Sequence, residues 1–188
     1  ANSIIQNFPE EFENLISSES ITEDEHIQYI EKIIEGEDLK ILRPWGEPLF
    51  YAKDILGAIE DLKKERVDPS RLAEVLKIQR EDFENIPDLS HEKGAHKGVM
   101  KGKYSQVLKD MDKLEQFIKV YSAYINMLLK NKKYDFNDML IETIKVLENN
   151  KPLLLLQQEK YQYILVDEHQ DTNASQNKLV ELLASFYE

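Results

Sequence analysis

Two adjacent carboxylates set directly after a short apolar run, with a third three residues on, form the arrangement in this chain most able to do chemistry. The run is Tyr163 to Val166, and the carboxylates are Asp167, Glu168 and Asp171. A short β-rich run bounded by polar residues predicts a buried strand of the kind found in parallel sheets. In open parallel sheets the ligand sits beyond the carboxyl ends of the strands, where Asp167 and Glu168 would fall. Adjacent buried carboxylates are costly unless a cation or hydrogen bonds compensate, so that placement asks for a metal. The chemistry such a pair supports is phosphoryl transfer. A strand-end Asp167 would hold Mg²⁺ on the phosphates of a nucleotide, and Glu168 would orient or deprotonate the attacking water. The plainer alternative is an acidic strand-to-loop turn with no nucleotide role. A metal-dependent nuclease using Asp167, Glu168 and Asp171 fits less well, because nuclease sites gather ligands from several segments and these three share one.

The surrounding string carries more than the pair does. Ile164-Leu-Val-Asp-Glu-His-Gln-Asp-Thr-Asn173, followed by Gln176 and a helix bearing Leu179, Leu182 and Leu183, resembles motif II (Walker B) of the UvrD/Rep/PcrA-type superfamily 1 DNA helicases. That string reads approximately ILVDE-aromatic-QDTN in the family, and His169 stands where the family usually carries Phe or Tyr. The resemblance implies an ATP-dependent DNA helicase with ATP and Mg²⁺ as cofactors. Asp167 would take the metal and Glu168 would activate water, with Gln170 and Asp171 coupling nucleotide state to neighbouring motifs. DNA, met at a single-strand/duplex junction through backbone contacts, and the remaining helicase domains would be the partners. The string Tyr134-Asp-Phe-Asn-Asp-Met-Leu140 resembles a second family segment before motif II, and it is assigned packing rather than catalysis. Ile59 to Pro69 resembles, more loosely, part of the accessory insertion called 1B.

The fold expected is mainly α: a helical accessory subdomain plus a partial P-loop (RecA-like) α/β segment with one clear strand, Tyr163 to Val166. Residues 1–20 would be a remnant of the first RecA-like domain, 1A; residues 21–131 the 1B-like subdomain; residues 132–188 the 1A part carrying motif II. No Gly-x-x-x-x-Gly-Lys-Ser/Thr occurs, so the phosphate-cradling loop is missing from these 188 residues. An excised piece of a larger motor is therefore expected, unable by itself to hydrolyse ATP or unwind DNA. Without parallel neighbours, the Tyr163–Val166 strand should pair between chains, detach or pack atypically. The competing class is an acidic helical protein-binding module with no motor.

Composition bounds the rest. With no cysteine there is no disulfide framework and no thiol nucleophile. The apolar run Pro152 to Leu156 is too short to span a bilayer and no signal-peptide pattern opens the chain, so a cytoplasmic protein is the default expectation. Net charge is −12, with 22 acids and 10 bases in residues 1–90 against 14 of each in residues 91–188. The acidity therefore belongs to the first half, a solvated face or one turned away from DNA. His91 to Lys103 differs, with three glycines, four lysines, two histidines and one acid. Lys97, Lys101 and Lys103 make it a candidate loop for the DNA backbone, against a plain disordered connection. Zinc on His91 and His96 lacks further ligands.

The elements that must carry these residues follow from caps and periodicity. Thr22-Glu-Asp-Glu25 predicts a capping box, Asp68-Pro69 an N-cap with proline at the first helical position, and Asp135 a cap. One short helix is expected over Pro9 to Ile16, a short strand over Leu39 to Leu42, an amphipathic helix over Pro48 to Arg66 and a long one from Tyr104 to Asn131 with a core-facing aromatic stripe. The single tryptophan, Trp45, is expected as a packing anchor rather than a base-stacking platform.

Overall fold

Side-chain caps fix where several helices begin, reciprocally at the helices that open at Glu23, Phe136 and Ala174. The computed structural model describes residues 1–91, 93, 98–161 and 163–185. Helices α1 (Asn2–Asn7), α2 (Glu13–Ile16), α3 (Glu23–Gly36), α4 (Ala52–Lys64) and α5 (Pro69–Glu84) are followed by α6 (Ser105–Lys130), α7 (Phe136–Asn149), α8 (Lys151–Lys160) and α9 (Ala174–Ala184). Thr22 and Glu25 exchange hydrogen bonds before α3, the Thr22 N–H donating to Glu25 Oε2 at 2.9 Å. Asp68 accepts from the Arg71 N–H at 2.8 Å with Pro69 opening α5. Each cap satisfies amides that the first helical turn leaves without intrahelical partners.

The chain divides into two compact units. The first comprises Ala1–His26, Gly57–Val67 and Asn126–Glu188. Its core gathers Ile4, Ile5, Phe12, Met139, Leu147 and Leu153, against which Leu179, Leu182 and Leu183 of α9 pack. Strands β1 (Glu19–Ser20) and β2 (Lys133–Tyr134) pair in parallel, Glu19 opposite Lys133. Lys133 Nζ crosses that pair to Glu19 Oε2 at 3.1 Å and Glu25 Oε1 at 3.0 Å. Both contacts raise the lysine's pKa, the one to Glu25 more.

The second unit comprises Ile27–Leu56 and Asp68–Ile125. Leu76 and Phe83 of α5 meet Met111 of α6, with Ile86, Leu108, Leu114 and Ile118 around them. Arg80 forks to Asp112 at 2.9 Å and Glu115 at 2.8 Å.

The fold is mainly α, as expected, but four local expectations change. Tyr163 to Val166 forms no regular element and pairs with no strand, so the expected strand is absent and the expected detachment is met; Tyr163 and Leu165 are 91% and 98% exposed. A strand is stabilised by ladder partners and by a covered face; among the described residues this run has neither. Pro9 to Ile16 is two pieces, a 3-10 turn at Pro9–Glu11 and then α2, because Phe12 leaves helical geometry to bury itself in the core. Leu39 to Leu42 is an irregular loop that buries both leucines. Trp45 is 101% exposed, not a packing anchor.

Of two expectations about helices, the first is met in part: α4 forms within the expected Pro48–Arg66 span but starts at Ala52, after a turn over Pro48 to Tyr51. The aromatic stripe of α6 is core, with Tyr121 and Tyr124 buried. Among the described residues, no helix is long and apolar enough to cross a membrane.

Candidate functional site

The acidic segment is a loop held at its far end. After the irregular run, Asp167 and Glu168 form a turn, His169–Asp171 makes one 3-10 turn, and Asn173 caps α9. The Asn173 carboxamide accepts from the Gln176 N–H at 2.9 Å, and Gln176 Oε1 returns the contact to the Asn173 N–H at 3.1 Å. Thr172 Oγ1 donates to the His169 carbonyl at 2.7 Å and meets Asn177 Oδ1 at 2.7 Å. The Gln-Asp-Thr-Asn part of the string thus builds the helix entry.

Glu168 sits at φ +49°, in the left-handed region that non-glycine residues seldom occupy. Its backbone N–H donates to Asp167 Oδ1 at 3.0 Å, and its carboxylate accepts from Gln170 Nε2. The Asp171 N–H closes the turn on the Glu168 carbonyl at 2.8 Å. Asp167, Glu168, Gln170 and Asp171 are all exposed. The sequence places them together, and the structure keeps them together without burying them. Their oxygens are hard donors, and Mg²⁺ commonly takes one or two carboxylates with phosphates and waters completing its shell. The donor set therefore fits Mg²⁺ carried on a nucleotide. It does not fit a bare-metal cage, because no group of three or more acidic, His or Cys side chains converges among the described residues.

What anchors this loop was not read from the sequence. Ser175, fully buried, donates to the Lys64 carbonyl at 2.9 Å and the Lys63 carbonyl at 3.3 Å. Those are carbonyls in the last turn of α4, which have no intrahelical donor. The side chain of Lys63 is itself only 3% exposed, and its Nζ lies 2.6 Å from both Asp135 Oδ2 and Asp138 Oδ1. Asp135 and Asp138 also complete a reciprocal capping box at the start of α7. Burial pushes the Asp138 carboxyl above its ordinary range, with the Lys63 charge pulling the other way. The two aspartates of the Tyr134–Leu140 string are therefore a structural pair, in keeping with the packing role assigned to it. Their partner lies 72 residues away for Asp135, a separation at which no sequence pattern signals a contact.

Of the three candidate DNA-contacting lysines, Lys97 lies outside the described residues, as does His96 of the zinc idea. Lys101 and Lys103 flank one carboxylate: Lys101 pairs with Asp88 Oδ1, and Lys103 with Asp88 Oδ2 at 2.6 Å. The two ammonium groups, Lys101 first, hold Asp88 down at about 2. The segment before them is closed by a Ser90–Met100 antiparallel bridge, with Gly98 at φ +81° and its N–H on the His91 carbonyl at 2.9 Å.

Comparison with known proteins supplies the family context. The family described as UvrD/REP helicase N-terminal domain matches residues 1–188. The ATP-dependent DNA helicase PcrA of Bacillus subtilis is 33% identical over 139 residues, 74% of this chain and 14% of that protein. A probable DNA helicase of Mycoplasma pneumoniae is 51% identical over 63 residues, 34% of this chain and 12% of that protein. PcrA of Staphylococcus aureus is 48% identical over 66 residues, covering 35% and 9%. The chain thus spans only a small part of the curated relatives it matches.

Proposed function

The chain belongs to the UvrD/REP helicase N-terminal domain family, and on that premise we propose that it supplies the acidic half of the nucleotide site of an ATP-driven DNA helicase. The observation that carries the reading is the unbroken Ile164–Asn173 string inside a match that runs the length of the chain. Asp167 binds the Mg²⁺ of Mg-ATP, and Glu168 orients and deprotonates the attacking water. Bound Mg²⁺ neutralises charge that builds on the phosphoryl oxygens. Gln170, already on the Glu168 carboxylate, holds that base in place, and Asp171 extends the polar edge of the site toward neighbouring motifs. The exposure of this loop supports a role completed by further protein: a phosphate-cradling loop with its lysine must face it for turnover.

Residues 1–20 and 132–188 are assigned to the first RecA-like domain, and residues 21–131 to a 1B-like helical subdomain lying near DNA. The contiguity of residues 1–26 with 126–188 in one compact unit supports that division, with 57–67 joining them. Lys101 and Lys103, with Lys97, contact phosphates at a single-strand/duplex junction without reading bases.

The test uses a longer protein that carries this chain together with a Gly-Lys-Ser/Thr loop. Glu168→Gln should lower DNA-stimulated ATP turnover by about 10²- to 10⁴-fold, the range for losing a general base, while ATP affinity is kept. The 188-residue chain alone should show no turnover. Unchanged turnover in Glu168→Gln would remove Glu168 from the chemistry.

A further inference from the structure

Among the described residues, the aromatic side chain expected in the core is the one most fully presented to solvent. Trp45 is 101% exposed and Phe50, at the far end of the same turn, is 57% exposed. Exposed apolar residues taken singly are ordinary. What separates this one is its mounting. Leu39 and Leu42 bury themselves just before it. The backbone N–H groups of Ile41 and Leu42 both donate to Gln116 Oε1 on α6, at 2.9 and 3.1 Å. Arg43 Nη1 donates to the Glu35 carbonyl at the end of α3, at 2.9 Å. Pro44 and Pro48 restrict the backbone on either side of the indole. After the turn, the Phe50 ring meets Tyr51 edge-on, centroids 4.8 Å apart, and Lys113 Nζ stands 4.5 Å from the Tyr51 ring centre. The indole is held outward from an anchored loop, with little ordering entropy left to lose on contact.

The charges nearby tell what it is held out for. Lys40, Arg43, Lys53 and Lys113 lie on this loop, on the first turn of α4 and on α6, and none forms an ion pair among the described residues. Lys101 and Lys103, the cations that sequence reasoning selected, are both held by Asp88. Between Arg43 and Phe50 the chain has one carboxylate, Glu47. Cations outside any ion pair, on a stretch that also carries Glu35, Glu37, Asp38, Glu47 and Asp54, stand with a projecting indole and a second aromatic ring, the ingredients of a single-strand platform. Bases stack on the rings and lysines and arginines follow the phosphates. A protein partner would need a contiguous apolar interface core, and two rings separated by Gly46, Glu47, Pro48 and the half-buried Leu49 make only a small patch.

We propose that Trp45, supported by Phe50, Arg43, Lys53 and Lys113, is a stacking site for single-stranded nucleic acid. The proposal rests on DNA being the substrate but is independent of the nucleotide chemistry at Asp167 and Glu168.

Because Trp45 is the only tryptophan, its emission reports on this one place. The experiment titrates the chain with an unlabelled oligo-dT while following that emission. In parallel, a labelled oligo-dT and a labelled junction are followed by anisotropy for the wild type, Trp45→Ala, Trp45→Phe and Arg43→Ala/Lys53→Ala. Saturable quenching is expected, together with about a 5- to 100-fold loss of oligo-dT affinity in Trp45→Ala. Trp45→Phe should lie between, and Arg43→Ala/Lys53→Ala should flatten the salt dependence. An exposed side chain leaves the melting temperature of Trp45→Ala unchanged, so loss of binding cannot be laid to unfolding. Oligo-dT binding with unchanged emission, and equal in Trp45→Ala, would overturn the platform while leaving a DNA role to Lys101 and Lys103. No binding of either DNA would overturn the platform and the DNA reading of this chain together. An emission shift that follows protein concentration alone would overturn it in favour of self-association.

Discussion

Two acidic pairs in the first compact unit have similar composition and opposite fates. Asp135 and Asp138 cap α7, are largely withdrawn from water and share the Lys63 ammonium at 2.6 Å. Asp167 and Glu168 are exposed, and the contacts of their side chains described above are made within their own turn. Carboxylates with a buried cation and helix-end amides have their hydrogen-bonding capacity used by the fold. Carboxylates left on a turn, one of them in a left-handed conformation, remain free to take a ligand. The first pair holds the scaffold; the second has capacity to spare for chemistry.

The largest stability change expected from breaking this contrast comes from Lys63→Met. It leaves the buried Asp135 and the half-buried Asp138 without their cation and should cost about 3–5 kcal/mol by denaturant unfolding near neutral pH. The penalty should shrink as pH falls, because the Asp138 carboxyl, already raised by burial, takes up a proton and loses its uncompensated charge. Asp167→Asn and Glu168→Gln, by contrast, should leave the unfolding midpoint where it is. Equal losses from both pairs would erase the distinction.

A smaller effect is expected at the link between the two pairs. Ser175→Ala removes the donor to the Lys64 carbonyl, while the Lys63 carbonyl keeps the Arg66 N–H, and should cost about 1–3 kcal/mol for the acceptor left unsatisfied. It should also raise hydrogen exchange at the α9 amides that follow the acidic loop. Loss of stability without faster exchange there would mean that Ser175 does not anchor the loop.

The smallest effect on stability belongs to Asp88. Its folded-state pKa is lowered from 3.8 to about 2 by Lys101 and Lys103, so its stabilising contribution is present above 3.8 and lost as pH falls toward 2. A carboxyl ¹³C titration of Asp88 should give a midpoint well below the ordinary one, and Lys101→Ala should return it upward. Asp88→Asn should barely move the melting temperature. It should steepen the salt dependence of junction binding, by up to about two units of slope if both freed lysines reach phosphates.

The caps were legible because their hydrogen bonds close within three residues. Thr22 with Glu25, Asp68 with Arg71 and Asp135 with Asp138 are each local chemistry that a string of letters can display. The aromatic face of α6 was legible for a similar reason, since helical periodicity repeats along one element. Trp45 was misplaced because the preference of aromatics for cores is statistical, and the buried leucines at 39 and 42 had already filled that role for the loop. Pro9 to Ile16 was misread as one helix because the burial of Phe12 outweighs continuous helical geometry.

What the sequence determined by itself is therefore chemistry and local geometry: the identity and order of Asp167, Glu168, Gln170 and Asp171, and the capped helix that begins after them. Tertiary structure decided the rest. It decided which of the expected fates Tyr163 to Val166 takes, an exposed run with no strand partner among the described residues, since a strand exists only when another chain segment supplies its hydrogen bonds and covers its face. It also decided that Lys63 neutralises Asp135 and Asp138, and that Lys101 and Lys103 are tied to Asp88 while Arg43, Lys53 and Lys113 have no carboxylate partner among the described residues. Charge pairing depends on distance in space, and distance in space is set by packing and not by spacing along the chain.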